Sequence, residues 1–458
     1  MSTLNLETPL RTPDTSSDTV MTKRAWWLVV IGFLLPGSAQ VLAGKRGLGR
    51  FGIGATVVLI LGVIAALVTY LIEPEALFTF FTNGIVLLVL QVLLIGYGLL
   101  WVILGLDTLR LTKLPRVKRG HRPAVAVLSI LLTLLPAAGA AWAATLVQSG
   151  RDTIGSIFGG GAPAVEPIDG RYNILMLGAD AGDDREGLRP DSISVISVDA
   201  ETGQSVVIGL PRELQNMPFL ENSPMAPMYP EGYGTYNCEV GLPCYLNGVY
   251  AEGQYFISDL YPDAKAQGSE PGIEATKDAV SGAIGLDVQF YVMIDMVGFE
   301  HLIDALGGVD INVQERLPIG GDAEGNGVEG YVEAGQQRLN GFDALWYARS
   351  RYSTDDYDRM RRQRELQSAI LAQMNPSNVL LRFQEVASAG ASIVTTDIPE
   401  SMLGRFVKLA TSAKDHTPVT VNLTPENGVD PFYAEYDVIH QMVRDAVVEA
   451  SPPAVPKQ

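Results

Sequence analysis

Cysteine, histidine and positive charge are all scarce in this 458-residue chain. The four histidines, His121, His301, His416 and His440, lie far apart, and none has HxxxH spacing. With only Cys238 and Cys244 to add, no zinc site can be assembled from them. The two cysteines sit close together and read as a disulfide if that segment lies in an oxidising compartment. Lys and Arg number 33 against 51 Asp and Glu, for a net charge of −18. The deficit is uneven: residues 1–150 hold 12 Lys/Arg and 6 Asp/Glu, a net of +6, which leaves −24 for residues 151–458. A domain that acidic lacks the cationic surface that backbone neutralisation requires, so no nucleic-acid partner is expected.

Charge is missing altogether from three long apolar runs, Phe51–Ile72, Gly84–Leu106 and Ala124–Val147, each long enough to cross a bilayer. Lys45, Arg46 and Arg50 precede the first of these. Arg110, Lys113, Arg116, Lys118, Arg119 and Arg122 separate the other two. The positive-inside rule places both basic loops in the cytoplasm and everything after Val147 outside, giving a multi-pass membrane protein with an extracytoplasmic C-terminal domain. An earlier apolar run, Ala25–Gly44, has Lys23 and Arg24 before it and Lys45 and Arg46 after it, with Pro36-Gly37 inside. It reads either as a re-entrant hairpin, which keeps both basic pairs on one side, or as a fourth span. No small-residue cleavage site follows it. The membrane region is thus 21–149, preceded by a disordered polar tail at 1–20 and followed by a Gly/Pro-rich linker at 150–170.

The folded domain is expected over 171–450, with a mobile tail at 451–458. NILMLG, SISVISV and SVVIGL are short apolar runs of the kind found in buried strands. Helices are expected at Ile273–Ile284 and Met296–Leu306, with strands at Val288–Ile294 and Val309–Val313. Beyond them, the pattern predicts a helix from about residue 355 to Met374, helices at Val379–Ala389 and Pro399–Ala410, a strand at Thr417–Leu423 and a last helix at Tyr436–Ala450. This alternation predicts an α/β fold, an α-β-α sandwich around a central mixed sheet. Asn216–Tyr236 has no period and reads as a long loop.

The scarce cations of this domain are concentrated: six arginines lie between Arg349 and Arg364. On a helix, Asp356, Arg359 and Gln363 share one face with Arg362 beside them, and Leu366 and Ile370 continue an apolar stripe. Forked guanidinium groups suit a diphosphate. Read alone, the run is equally a solvated helix laced with ion pairs.

The order of four blocks decides between these readings. They are NILMLGAD (Asn173–Asp180) with RPDS (Arg189–Ser192); GLPREL (Gly209–Leu214); the stretch Phe290–Val313; and LNGFDALWYARSR running into DRMRRQ. In this order they resemble the LytR-CpsA-Psr family of extracytoplasmic glycopolymer transferases, over roughly Arg171–Met374. Two positions depart from the family pattern: its Pro-Arg-Asp reads Pro211-Arg212-Glu213 here, and its Lys-x-Asn reads Tyr245-Leu246-Asn247. The resemblance implies an enzyme that moves a glycopolymer from a polyprenyl-pyrophosphate carrier to peptidoglycan, with Mg²⁺, or Mn²⁺ in its place, as cofactor. It implies Asp180 and Asp191 as metal ligands, with Asp183 and Asp184 as nearby competitors lacking the motif. Arg189, Arg212, Arg349, Arg351, Arg359 and Arg362, with Gln363 and Asn247, are the implied contacts to the pyrophosphate. Arg212 and Arg359 are also catalytic candidates, and Asp356 is either the base for the acceptor hydroxyl or an ion-pair partner that orients the arginines. An apolar tunnel for the lipid is implied, with Phe290, Val292 and Ile294 as lining or as ordinary core. The alternatives are a pyrophosphatase acting on the same lipid, with water as acceptor, and a non-catalytic membrane regulator that binds the lipid-linked precursor.

Overall fold

A computed structural model of the chain describes residues 10–158, 164–179, 190–234, 237–241, 243–321, 326–350, 356–373, 394–413 and 416–451. The expected helix at Val379–Ala389 lies outside them. Two compact units divide the chain, 1–152 and 153–458.

In the first unit, α1 (Asp18–Leu34) and α2 (Ser38–Leu42) precede α3 (Arg46–Ile72), α4 (Pro74–Phe81), α5 (Gly84–Thr112) and α6 (Arg122–Ile157). Three helical stretches, 46–72, 84–116 and 119–152, are long and apolar enough to cross a membrane. Helix α1 begins at Asp18 with Ser17 as its cap, three residues inside the expected tail, and α6 runs eight residues into the expected linker. The run Ala25–Gly44 is broken at residues 35–37, where Gly37 takes φ +97° and a Cβ would strike the Gly49 carbonyl oxygen. Both arms around this break meet the same end of α5. The Arg24 guanidinium donates to the Leu111 carbonyl (2.6 Å), Gln40 Nε2 donates to the Leu104 carbonyl (2.9 Å), and Lys45 pairs with Asp107.

The second unit is built on a sheet of six strands among the described residues, in the order β10-β3-β2-β1-β4-β9. These are β1 (Arg171–Ala179), β2 (Pro190–Asp199), β3 (Ser205–Leu210), β4 (Phe290–Asp295), β9 (Val394–Thr396) and β10 (Val419–Asn422). The β1/β2, β2/β3 and β4/β9 pairs are antiparallel, while β1/β4 and β3/β10 are parallel, so the sheet is mixed. Its strands read as continuous apolar runs because both faces are covered. On one face Leu175, Ile193, Val195 and Ile208 pack with α8 (Pro271–Ile284) and the C-terminal helix Tyr436–Glu449. On the other, Tyr172, Ile174, Ile196 and Val207 pack with Phe406 and Leu409 of the helix Leu403–Ser412. This is the expected α-β-α layering. Along the chain, α7 (Val249–Ala251), a single turn, comes between β3 and α8.

Helix α9 (Met296–Leu306) starts on Asp295, whose carboxylate accepts from Gly298 N–H at 2.7 Å, and it ends at Gly307. It leads into two ribbons, β5 (Val309–Val313) with β8 (Gly335–Leu339) and β6 (Leu317–Gly320) with β7 (Val328–Val332). Then come α10 (Gly341–Arg349) and α11 (Asp356–Gln373). The ribbons, α10 and α11 share their own core around Ile311, Leu317, Tyr347 and Leu366. The expected long loop after Asn216 is irregular but packed: Met217, Met225, Tyr229 and Tyr233 are all buried in the main core.

Candidate active site

Register alone brings the first two site residues together. Strands β2 and β3 pair antiparallel with Ile193 opposite Leu210, so two residues further out Asp191 faces Arg212. Arg212 Nη1 lies 2.6 Å from Asp191 Oδ1, and its Nη2 lies 3.5 Å from Glu213 Oε1. The turn carrying Arg212 is held by main-chain bonds: Asn247 N–H donates to the Arg212 carbonyl (3.1 Å) and Leu246 N–H to that of Leu214 (3.0 Å). Asn247 therefore sits beside Arg212. Where the family pattern has lysine, the Tyr245 ring packs against Phe432 with centroids 6.2 Å apart.

Helix α11 crosses the same sheet edge. Arg359, buried, donates from Nη2 to the Asp191 carbonyl at 3.3 Å. One turn on, Gln363 Oε1 accepts from Ser192 Oγ (2.9 Å) while its Nε2 donates to the Ala348 carbonyl (3.2 Å). A further turn on, Gln367 meets Ser194 Oγ at 3.2 Å. These contacts form a polar zipper between Asp191, Ser192 and Ser194 of β2 and residues 359, 363 and 367, at i, i+4 spacing, of α11. Asp191, Arg212, Asn247, Arg359 and Gln363 are thus brought together at one edge.

Two other expected residues have their described contacts on α10 and its corner with α11. Arg362 is buried at the α10–α11 corner, donating from Nε to the Tyr347 carbonyl (2.9 Å) and from Nη2 to that of Ser350. Burial lowers its pKa, and the nearby Asp358 carboxylate opposes that shift. The Arg349 guanidinium lies over the Trp346 ring, 5.3 Å from its centroid. Asp180, Asp183, Asp184, Arg189 and Arg351 lie outside the described residues, as does the side chain of Asp356, the first residue of α11. Of the expected tunnel residues, Phe290 is buried against Tyr172 and Phe406, whereas Val292 and Ile294 are half-buried.

The model of the LytR_cpsA_psr family matches residues 162–445. The chain belongs to the LytR-CpsA-Psr family. Regulatory protein MsrR of Staphylococcus aureus (strain COL) is 27% identical over 237 residues, 51% of this chain and 58% of its own length, so the match spans about three fifths of that relative. Cell wall biosynthesis protein LcpA of Corynebacterium glutamicum is 26% identical over 372 residues, 73% of this chain and 67% of LcpA. Among solved structures, B. subtilis TagV aligns with a TM-score of 0.42 at 19% identity, covering 62% of this chain and 98% of that one.

In this LytR-CpsA-Psr protein the donor chemistry at the edge fits a hard cation in kind: Asp191 and Glu213 offer carboxylate oxygen, with no thiol or imidazole in the described contacts. Among the described residues no group of three or more His, Cys, Asp and Glu forms a metal cluster. Arg212 occupies the Asp191 oxygen that such an ion would take. Three features of the site were not singled out in the sequence. Ser192 and Ser194 could have been found from the alternation in SISVISV set against Gln363 and Gln367 four apart. Glu252, fully buried, accepts from Tyr229 Oη (2.7 Å) and from the N–H groups of Glu239 (3.0 Å) and Val240 (2.9 Å). It thereby ties down the loop closed by the Cys238–Cys244 disulfide, and only the fold brings these groups together. Arg364, fully buried in α11, is the third.

Proposed function

We propose that this protein is a membrane-anchored transferase that moves a glycopolymer from a polyprenyl-pyrophosphate carrier to peptidoglycan, with the 153–458 unit on the outer side of the membrane. The observation that carries the reading is the convergence of Arg212 and Arg359 on Asp191 at the edge of the sheet, in a domain that matches the LytR-CpsA-Psr family model. LcpA, similar over 73% of this chain, is named for cell wall biosynthesis, which agrees with the class of reaction. Basic residues flanking the long helices support the orientation.

Outside the membrane ATP is lacking, so the donor must arrive activated, and a diphosphate linkage meets that need. The acceptor hydroxyl oxygen forms a new bond to the phosphorus that bears the glycan. The bridging P–O bond breaks, and polyprenyl phosphate leaves with its electron pair. The hydroxyl proton goes to a carboxylate, for which Asp356 is the candidate. Arg212 and Arg359 neutralise the diphosphate in the ground state, and as charge shifts to the leaving oxygen their fixed positions stabilise it without reorganisation. Asp191 aligns both arginines, through its carboxylate and its carbonyl. Mg²⁺, or Mn²⁺, held by Asp191 and Asp180 would add Lewis-acid stabilisation of that developing charge. The half-buried Val292 and Ile294 offer apolar surface to the lipid.

The test is to incubate the purified full-length protein with a lipid-linked oligosaccharide, peptidoglycan fragments and Mg²⁺, and to weigh the products. A glycan–phosphate–peptidoglycan adduct with released polyprenyl phosphate is expected. Glycan phosphate with no adduct would make the protein a pyrophosphatase. Binding without turnover would make it a sensor of lipid-linked precursor, the reading to which Tyr245 in place of lysine lends most support.

A further inference from the structure

Arg364 heads the fully buried side chains of the described residues. Its Nη2 reaches Gln363 Oε1 at a long 3.4 Å, while Nε and Nη1 have no hydrogen-bond partner among the described residues. Among the described residues no carboxylate pairs with it, and burial lowers its pKa to about 10. Across from it on β10, Asn422 Oδ1 is also buried without a partner. Both groups close over Gly209, where a Cβ would come 2.8 Å from Arg364 Nη1 and 2.9 Å from Asn422 Oδ1; glycine makes the room that the guanidinium fills. A buried cation without a counter-ion destabilises a fold, and an apolar side chain of similar volume there would not. Residues that break a local rule at the expense of stability concentrate at functional sites.

The neighbouring site supplies the reason. Gln363 Oε1, which Arg364 approaches, also accepts from Ser192 Oγ, and Ser192 follows Asp191 in β2. Gly209 pairs with Ser194, three residues from Asp191, so the Arg364 recess lies about 10 Å along the strand from the Arg212–Asp191 pair. The space between is a packed layer of α11 on the sheet, where screening is weaker than in water.

We propose that Arg364 is a further anion-binding residue, acting without contact: the diphosphate held at Arg212 and Arg359 is the counter-charge that no described side chain supplies to Arg364. This rests on the diphosphate reading for the class of ligand. Arg364 works as a positioning charge, through Gln363 and the dry layer. Its removal therefore moves stability and affinity in opposite directions, which loss of an ordinary structural arginine does not.

The test uses the full-length protein in detergent, with geranyl pyrophosphate and geranyl monophosphate as probes, thermal unfolding without ligand and calorimetric titration with it. Arg364→Met is expected to raise the ligand-free melting temperature while weakening geranyl pyrophosphate binding on the order of 10-fold, and to weaken the less charged monophosphate by less. A lower melting temperature with unchanged affinity would make Arg364 structural and overturn the proposal. So would a higher melting temperature with unchanged affinity. If Arg364→Met does not fold, Arg364→Gln, which keeps a polar group but no charge, decides on affinity alone, and unchanged affinity overturns the proposal. Failure of the parent protein to bind either probe sinks the diphosphate reading and this inference with it; insensitivity of the variants sinks this inference only.

Discussion

Four arginines within two turns of α11 do four different things. Arg359 reaches the Asp191 carbonyl, Arg361 pairs on the surface with Asp358 and Glu365, Arg362 holds carbonyls of the α10–α11 corner, and Arg364 is buried over Gly209. Their number and concentration were legible in the sequence, and so was an anionic ligand as one reason for it. Their division was not, because it depends on the helix's rotational phase between two partners, the sheet edge and α10, which no local pattern encodes. The division can be tested by substitution. Arg362→Ala leaves the Tyr347 and Ser350 carbonyls without their charged donor and is expected to lower stability by about 2–4 kcal/mol in denaturant titration, whereas Arg361→Ala should change it by less than about 1 kcal/mol. Asp191→Asn should abolish transfer while lipid pyrophosphate still binds, since ground-state charge is met by the arginines; loss of binding together with turnover would show that Asp191 chiefly aligns them. Asp278, away from the site, accepts from Ser223 Oγ (2.8 Å) and Tyr261 Oη (2.7 Å), and burial raises its pKa above the ordinary 3.8 against the effect of those bonds. A carboxyl raised in the fold contributes its stability below pH 3.8 and loses it as pH rises through the folded value. Asp278→Asn should therefore melt higher than the parent at pH 7 and close to it at pH 3; equal melting at both would remove the burial argument.

At the scale of elements, the sheet was legible where strands are covered on both faces. Runs such as SVVIGL announce themselves by apolarity, and the antiparallel step from β2 to β3 then delivers Asp191 to Arg212 with no further information needed. The ribbon strands β6, β7 and β8 were missed because each is short and carries little local pattern: β6 is buried but only four residues long, and in β8 only Leu339 of GQQRL is buried while the pairing with β5 runs through the backbone. The loop after Asn216 was placed correctly as irregular, yet its buried tyrosines make it part of the core rather than a free flank. Its neighbour, the Cys238–Cys244 loop, is held twice, by the disulfide and by Glu252. The two cysteines are six positions apart, so the bridge is worth about 2 kcal/mol in the chain-entropy view. Replacing both cysteines with serine is accordingly expected to lower the urea midpoint modestly and to leave Asn247 beside Arg212, whereas Glu252→Ala strands the buried Tyr229 hydroxyl and takes the acceptor from the Glu239 and Val240 N–H groups, and should lower it more. A larger loss from the cysteine pair than from Glu252 would reverse that order.

For the whole molecule, the division of charge and hydropathy near residue 150 anticipated the two units that meet between Asp152 and Thr153. What the charge rule left open was the run Ala25–Gly44, because basic pairs flank it on both sides and a straight crossing would strand one of them. Its contacts add an observation that composition could not: Arg24 and Lys45, from either side of the break at Gly37, reach Leu111 and Asp107 at the same end of α5. A hairpin that enters and returns keeps all of these cations beside one bilayer face, where snorkelling side chains remain hydrated, while Gln40 buries its amide against Leu104 and Thr108 rather than against lipid. Single cysteines introduced at Thr15 and at Lys118, in a background lacking Cys238 and Cys244, should then both be labelled in intact cells only by a membrane-permeant maleimide. A cysteine at Ala164 should react with an impermeant one. Labelling of position 15 by the impermeant reagent, with position 118 still protected, would mean that the first run crosses the membrane as a fourth span; the basic pair at Lys23 and Arg24 would then lie outside, against the charge rule that orients everything after it.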